Sequence, residues 1–264
     1  MPATCCKARW SDGTSMSKRI HQTFICAAVL ASGGCHPAGG AARDVLQRAI
    51  QAHGGEANLD KTLTGTITAS FDVRFQGRSV TASVVEVFQL PRQYKRVVDA
   101  RDRDKKYHMA CAVTDGQGWV AEDDQPARDV PGPPTIHWHT SGALLPSLLV
   151  NGADLLRIPD IRVDSQVLAG VKASRAEEEA EYYFDQKTWL LARVRRKASI
   201  GLAILNDTNE PQDGEVVLSD YKDVAGVKYP MEITFTAGKK TSFAIHIKDV
   251  QFLDHIDDAE FAKP

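Results

Sequence analysis

The feature that most constrains the fold is a long series of short segments in which apolar and polar residues alternate. Between residues 63 and 252 the chain contains roughly eleven or twelve such segments, separated by tight turns such as Gln76-Gly77 and Asp115-Gly116. Alternation with a period of two is typical of strands that bury one face. Because short turns join consecutive segments, we expect neighbouring strands to pair antiparallel, as a meander rather than as parallel βαβ units.

Two helical segments interrupt this series of strands. One covers residues 41–53 and ends at Gly54-Gly55; the other lies within 136–150. The apolar residues at helical spacing in the first are Ala42, Val45, Leu46, Ala49 and Ile50. Strands this numerous must curl, because a flat sheet would leave one large apolar face in water. The sequence therefore predicts an α+β single domain built on a curled antiparallel sheet.

The second helical segment belongs to the most aliphatic part of the predicted domain, residues 135–156. We expect one or two short helices there, with Pro146 in a first turn, where proline is tolerated. The leucines of this segment are Leu144, Leu145, Leu148, Leu149, Leu155 and Leu156. Two interpretations remain open: the segment is a gate over an apolar ligand, or it is permanent core that fills the curled sheet.

The first 35 residues have the layout of an export signal. After Met16 a short cationic segment precedes about nine mostly apolar residues, and small residues lead to Cys35. Cys35 follows Gly33-Gly34 and resembles the acylated cysteine of a bacterial lipobox, although Ser32 stands where leucine is usual. We therefore expect residues 1–35 to be a leader that ends in a lipidated Cys35. The alternative is plain secretory cleavage that leaves Cys35 as a thiol.

The remaining chain divides into a short flexible tether over residues 36–40 and one domain over residues 41–264. Cys111 is the one cysteine of that domain, so no disulfide is expected within it. In its apolar surroundings Cys111 is interpreted as a small buried residue rather than a nucleophile. His53, at the end of the first helix, is interpreted as a residue that interacts with the helix dipole.

Composition and motifs exclude several classes of protein. The 32 basic and 34 acidic side chains give a net charge of −2, without the basic excess that nucleic-acid binding requires. No apolar run approaches the ~20 residues of a membrane-spanning helix. The chain has no Gly-rich strand-to-helix loop, no Gly-x-Ser-x-Gly and no His-Glu-x-x-His. We therefore expect no cofactor, no catalytic residues and no enzymatic activity.

Three groups of polar residues are candidates for a functional site. His137 and His139 share a strand face, but no further ligand spacing accompanies them, so we interpret them as rim or lid residues and expect no metal site. Asp123-Asp124 is a carboxylate pair in a turn, where charge is readily solvated. The alternation predicts that Arg193 and Arg195 project from the outer face of the sheet.

Four segments, taken in order, resemble motifs of one family. They are Asp115-Gly-Gln-Gly-Trp119, Tyr183-Phe-Asp-Gln-Lys-Thr-Trp-Leu190, Ser219-Asp-Tyr-Lys-Asp-Val-Ala-Gly-Val-Lys-Tyr-Pro-Met231 and Asp257-Asp-Ala-Glu-Phe-Ala-Lys-Pro264. Together they are similar to the LolA/LolB-like outer-membrane lipoprotein-sorting superfamily of periplasmic carriers. The resemblance covers residues 41–264.

This resemblance implies an unclosed β-barrel of about eleven strands, with a helical insert that plugs an apolar concave side. It further implies that the partner is an acyl chain, a lipid or a lipidated protein, and that the protein works in the bacterial envelope. A lipidated Cys35 departs from the soluble carriers of that superfamily, and it predicts that this protein is anchored to the outer membrane. The expected cavity and gate residues are Phe71, Val73, Phe75, Val85, Val87, Trp119, Trp138, Leu144, Leu145, Leu148, Leu149, Leu155, Leu156 and Phe184. The alternative is a structural or sensory interaction module whose barrel is filled by its own side chains.

Overall fold

The structure is a computed structural model that describes residues 38–75, 78–102, 105–131, 141–150, 152–175, 178–198, 212–237 and 241–264. These residues belong to one compact unit, His36–Pro264. The helices are α1 (Ala38–Ala52), α2 (Glu56–Leu59) and α3 (Ser141–Val150), with 3-10 turns at Asp60–Leu63 and Asp258–Phe261. The strands are β1 (Thr64–Phe75), β2 (Arg78–Gln89), β3 (Gln93–Asp102), β4 (Lys105–Thr114), β5 (Gln117–Glu122), β6 (Arg128–Pro131), β7 (Asp154–Val163), β8 (Gln166–Arg175), β9 (Glu178–Asp185), β10 (Leu191–Ala198), β11 (Gln212–Val224), β12 (Val227–Ala237) and β13 (Thr241–Phe252).

All thirteen strands belong to a single antiparallel sheet. Its order is β6-β5-β4-β3-β2-β1-β13-β12-β11-β10-β9-β8-β7, so two meanders meet where β1 pairs with β13 in the middle. Within the described residues β6 and β7 are edges, and the sheet is therefore not closed into a barrel. The prediction of an α+β fold with an unclosed, curled antiparallel sheet is confirmed.

The sheet has a strand that the sequence does not predict, because β6 has four residues, too few for alternation to be recognised. Residues 154–163 form β7, so Leu155 and Leu156 of the predicted gate segment belong to a strand. Helix α3 ends at Val150, as predicted, before Gly152, which has a φ of +69°. The sequence predicts a strand from Ile161 to Leu168, but the turn into β8 lies at Asp164, with a φ of +50°, so Leu168 belongs to β8. Alternation also predicts a strand over residues 200–206, which lie outside the described residues.

Helix α1 covers one face of the sheet and supplies a large part of its core. Its five predicted apolar residues are all buried, in one cluster with side chains from β1, β2, β8 and β12. The helix begins at Ala38, so the last residues of the predicted tether are helical. We call the face that α1 and α3 cover the concave face, and the opposite face the convex face.

Strand register assigns each side chain to one of these two faces. On β2, Val84 and Phe88 belong to the concave core, and Glu86 lies between them on the same face. Val85 and Val87 alternate with them and therefore point to the convex face.

The convex face has a cover of its own at the β3–β5 end, formed by the chain after β13. Trp119 donates its Nε1 hydrogen to the Phe261 carbonyl over 3.0 Å, and Phe261 is buried. On the same face Lys95 Nζ donates to the Glu260 carbonyl over 2.9 Å. The C-terminal segment thus buries one end of the convex face, independently of the helices on the other side.

Candidate functional site

Helix α3 is an apolar helix that is only partly buried. Its ten residues include no charged side chain. Leu145 is fully buried in the concave core, while Leu148 and Leu149 are half-buried against it. Val150, in the last turn, is 75% exposed. A helix that is apolar all round is normally buried on every side, so α3 offers apolar surface that the described residues do not cover.

Aromatic side chains line the concave face beneath the helices. Phe71 and Phe243 have ring centroids 4.9 Å apart, and Phe243 and Phe235 are 4.7 Å apart. Phe184 is fully buried in the same cluster. These aromatic rings therefore belong to one packed apolar cluster on the concave face.

The structure places six of the predicted cavity and gate residues on the concave side. Phe71, Leu145 and Phe184 are buried core, and Leu148, Leu149 and Leu155 pack against that core. Leu144 is half-buried on α3. The side chains of Val73, Phe75, Trp138 and Cys35 lie outside the described residues, as do His137 and His139.

Four other predicted cavity residues require correction. Val85, Val87 and Trp119 lie on the convex face, because Val87 and Trp119 are in register with Lys95 and Ala112 there. Leu156 lies opposite Lys172 on β7, alternates with the inward-facing Leu155 and is 47% exposed. Alternation shows which residues of a strand share a face of the sheet. Whether that face is the concave or the convex one depends on strand register and on the segments that cover the sheet.

A buried polar network, not anticipated from the motifs, crosses the concave face next to the apolar lining. Glu86 on β2 accepts from the Tyr94 hydroxyl over 2.6 Å and from Arg96 Nε over 2.8 Å. The carboxylate side chain of Glu86 is 6% exposed and that of Arg96 is 25% exposed. Glu86 is flanked at i−2 and i+2 by Val84 and Phe88, and this spacing was the sequence signal for a charge on the buried face.

Burial shifts the pKa values of this network in consistent directions. Burial raises the pKa of Tyr94, whose hydroxyl therefore stays protonated as a donor. Burial alone would lower the pKa of Arg96, but the neighbouring Tyr94 and Glu86 raise it overall. Burial also raises the pKa of the Cys111 thiol, which lies in register with Arg96. A protonated, half-buried thiol is a poor nucleophile, which agrees with the structural interpretation of Cys111.

His53 is a core residue that joins α1 to the sheet. It is fully buried, its Nδ1 hydrogen donates to the Ala49 carbonyl over 2.8 Å, and its ring lies edge-on to Tyr221 at 5.7 Å. A Cβ added at Gly142, in the first turn of α3, would come within 3.0 Å of the His53 ring. His53 therefore contacts the start of α3 as well, and does more than interact with the dipole of α1.

We expect the stability of the protein to fall as the pH is lowered below about 6.5, because of His53. Burial lowers the pKa of His53 below its ordinary value of 6.5, an effect that the Ala49 hydrogen bond partly offsets. The unfolded chain therefore binds the proton first, and the loss is at most about 1.4 kcal/mol per pH unit. Urea unfolding of the protein and of His53→Gln between pH 7 and 5 measures this contribution. A slope that His53→Gln leaves unchanged would contradict it.

On the convex face, the predicted outward arginines form a partly buried ion-pair group. Arg193 Nη1 and Arg195 Nε contact the two carboxylate oxygens of Glu215 at 2.9 and 2.8 Å. Arg195 also lies over the Tyr183 ring at 5.1 Å. The predicted outward direction of both arginines is confirmed, and their charges are matched by a carboxylate.

A polar groove of about 920 Å³ lies towards the other end of the convex face. His108 Nδ1 lies 2.8 Å from Asp99 Oδ1, and the His108 amide donates to Asp123 Oδ1 over 2.8 Å. Asp123 occupies a turn, as predicted. Acidic and basic side chains occur together along the groove, with Arg101 and Lys106 in adjacent strands. Its chemistry suits polar molecules and not an acyl chain.

Within the described residues, no helix has the length and hydrophobicity needed to cross a membrane. The same part of the chain contains no group of three or more His, Cys, Asp or Glu side chains placed to hold a metal ion.

In sequence comparisons, no protein-family model and no curated protein match the chain. Solved structures do match. A LolA superfamily protein from Nitrosomonas europaea has a TM-score of 0.57 at 8% identity, over 84% of this chain and 97% of that one. A DUF1329 family protein from Desulfovibrio piger has a TM-score of 0.53 at 11% identity, over 84% and 97%.

A third solved structure, from Vibrio parahaemolyticus, is described as an outer membrane lipoprotein-sorting protein domain. Its TM-score is 0.52 at 8% identity, over 83% of this chain and 95% of that one. At these identities the likeness establishes the fold alone. The chain shares its fold with these solved structures, one of which is a LolA superfamily protein, so the resemblance predicted from the sequence is confirmed at the level of the fold.

Proposed function

We propose that this protein is a bacterial envelope lipoprotein, anchored to the outer membrane through Cys35, that binds an acyl chain of a lipid or lipidated protein on its concave face. The observation that carries the proposal is the partly buried, uncharged helix α3 over an apolar aromatic lining. Leu148 and Leu149 lie at the boundary between that lining and solvent. The fold shared with a lipoprotein-sorting domain supports the same class of ligand.

The size of the hydrophobic effect indicates reversible binding. Each buried methylene contributes ~0.8 kcal/mol, so about ten contribute ~8 kcal/mol before the cost of association is subtracted. Without that cost, ~8 kcal/mol corresponds to a dissociation constant of about 1 μM, and the cost weakens the binding further, which suits reversible transfer more than permanent storage. Helix α3 must yield to admit the chain, and its packing against the core through a single fully buried leucine, Leu145, is compatible with such movement.

A second candidate function is an interaction module without a ligand. It is favoured by the dense packing of the concave face, where Phe88, Phe184, Phe235 and Leu145 are all fully buried. In that case the leucines of α3 are permanent core and the sheet docks a protein partner. The two functions differ in one measurable respect, namely whether an acyl chain enters.

Two measurements on the purified full-length lipoprotein test the proposed function. Organic extraction followed by mass spectrometry should recover a lipid that is not covalently attached. A fluorescent fatty acid should bind saturably with one-to-one stoichiometry after the extracted protein is refolded. Absence of extractable lipid together with non-saturable fluorescence would reject ligand binding and favour the interaction module.

A further inference from the structure

The chain enters the described domain at one particular rim of the sheet. At the N-terminal end of α1, Gly39 lies beside β7: a Cβ at this glycine would be 3.7 Å from the Leu155 carbonyl oxygen. One turn later, Arg43 Nη1 donates to the Leu149 carbonyl over 3.4 Å. The first turns of α1, the last turn of α3 and the first residues of β7 are therefore adjacent.

The same rim carries the two most exposed large hydrophobic side chains of the described residues. Val150, at the end of α3 on the concave side, is 75% exposed, and Leu156, at the start of the edge strand β7, is 47% exposed on the convex face, opposite Lys172. Val150 directly follows Leu149, whose carbonyl contacts Arg43 of α1. Leu156 directly follows Leu155, whose carbonyl lies next to Gly39 of α1. We call Val150 and Leu156, together with the half-buried Leu148 and Leu149, the apolar rim.

Chain length limits how far this rim can lie from an acyl group on Cys35. Cys35 precedes Ala38 by three residues, and three residues span at most about 11 Å even when fully extended. If the acyl groups of Cys35 are inserted in a bilayer, the start of α1 lies within that distance of its interfacial region. The lipidated Cys35 then keeps the start of α1, and the rim beside it, close to the membrane surface.

We propose that the apolar rim docks on the surface of the bilayer that carries Cys35, with Val150 and Leu156 inserted among the lipid headgroups. This inference rests on the lipidation of Cys35 in the proposed function. The exposed Arg43 and Asp154 carry opposite charges beside the rim, so the docking depends on apolar insertion and not on anionic lipid. The half-exposed leucines of α3 then open directly towards lipid, and an acyl chain passes between membrane and concave face without crossing water.

Site-specific fluorescence on the full-length acylated protein tests this orientation. In a Cys111→Ala background, NBD is attached to Val150→Cys or Leu156→Cys, and the protein is reconstituted in phosphatidylethanolamine–phosphatidylglycerol vesicles. Val85→Cys is the matched control, because Val85 is 42% exposed on the convex face. We expect a severalfold increase in NBD emission and quenching by spin-labelled lipid at positions 150 and 156, and neither at 85. High salt should leave the signal unchanged.

The possible failures are distinguishable. If the protein stays with the vesicles and binds the fluorescent fatty acid, yet the labels at 150 and 156 remain as accessible to aqueous iodide as the label at 85, docking is overturned and the proposed function stands. Shielded labels without fatty-acid binding support docking and reject the ligand. If the protein does not sediment with the vesicles, the anchor is refuted, and the docking proposal falls with it.

Discussion

Replacing Leu148 and Leu149 together by aspartate should lower the affinity for a fluorescent fatty acid by roughly a hundredfold. Both side chains are half-buried on α3 at the edge of the concave core. Removing two leucine contacts with an acyl chain costs about 3 kcal/mol, and each 1.4 kcal/mol is a tenfold change in the dissociation constant. Titration of the purified variant with the probe, monitored by fluorescence, measures the change.

Two further variants keep this prediction open to refutation. Val85→Asp introduces one aspartate on the convex face, where it should leave the affinity unchanged. Leu148→Ser with Leu149→Ser removes the apolar contacts without placing charge beside the core, and covers the case in which the aspartate variant fails to fold. If the folded serine variant binds the probe as tightly as the unchanged protein, α3 does not contact the ligand.

Arg96→Met should lower the free energy of unfolding by about 3 kcal/mol, because it withdraws the guanidinium that neutralises a buried carboxylate. Glu86 is nearly inaccessible, and Arg96 Nη2 lies 2.6 Å from Glu86 Oε1. Within the concave face a carboxylate has little access to water, so the loss of a compensating charge is expensive. Denaturant unfolding monitored by circular dichroism measures the difference.

Two controls separate burial from the mere loss of an ion pair. The double variant Glu86→Gln/Arg96→Met keeps an acceptor oxygen for Tyr94 and has no carboxylate to neutralise, so it should recover most of the loss. Arg193→Met breaks an ion pair whose carboxylate, Glu215, is 26% exposed and keeps its contact with Arg195, so this variant should cost less than about 1 kcal/mol. Equal losses in Arg96→Met and Arg193→Met would show that burial is not the cause.

The elements of this fold were largely predictable, because local patterns determine them. The five apolar positions of α1 follow helical spacing and are all buried. The alternation on β1 and β2 likewise separates core residues such as Ile67 and Val84 from their outward neighbours. These features depend on residues a few positions apart, which a sequence displays directly.

The candidate site was less predictable, because it depends on contacts between distant residues. Alternation gives Trp119 and Val120 opposite faces, but only the C-terminal segment, more than a hundred residues later, determines that Trp119 is covered on the convex side. Leu155 and Leu156 look alike in an aliphatic run, and the end of α3 before Gly152 makes one of them core and the other exposed. No motif singles out Glu86, although its spacing from Val84 and Phe88 places it on the buried face.

The pairing of β1 with β13 has a consequence for how the molecule is synthesised. One edge of β1 has no hydrogen-bonding partner until β13 leaves the ribosome. Phe71 of β1 pairs with Ile245 of β13, which lies some 170 residues later in the chain. A nascent chain that stops before residue 241 would therefore form two separate half-sheets, in which β1 and β12 are unpaired edge strands. Such edges invite aggregation, so truncated products should require chaperones or be degraded.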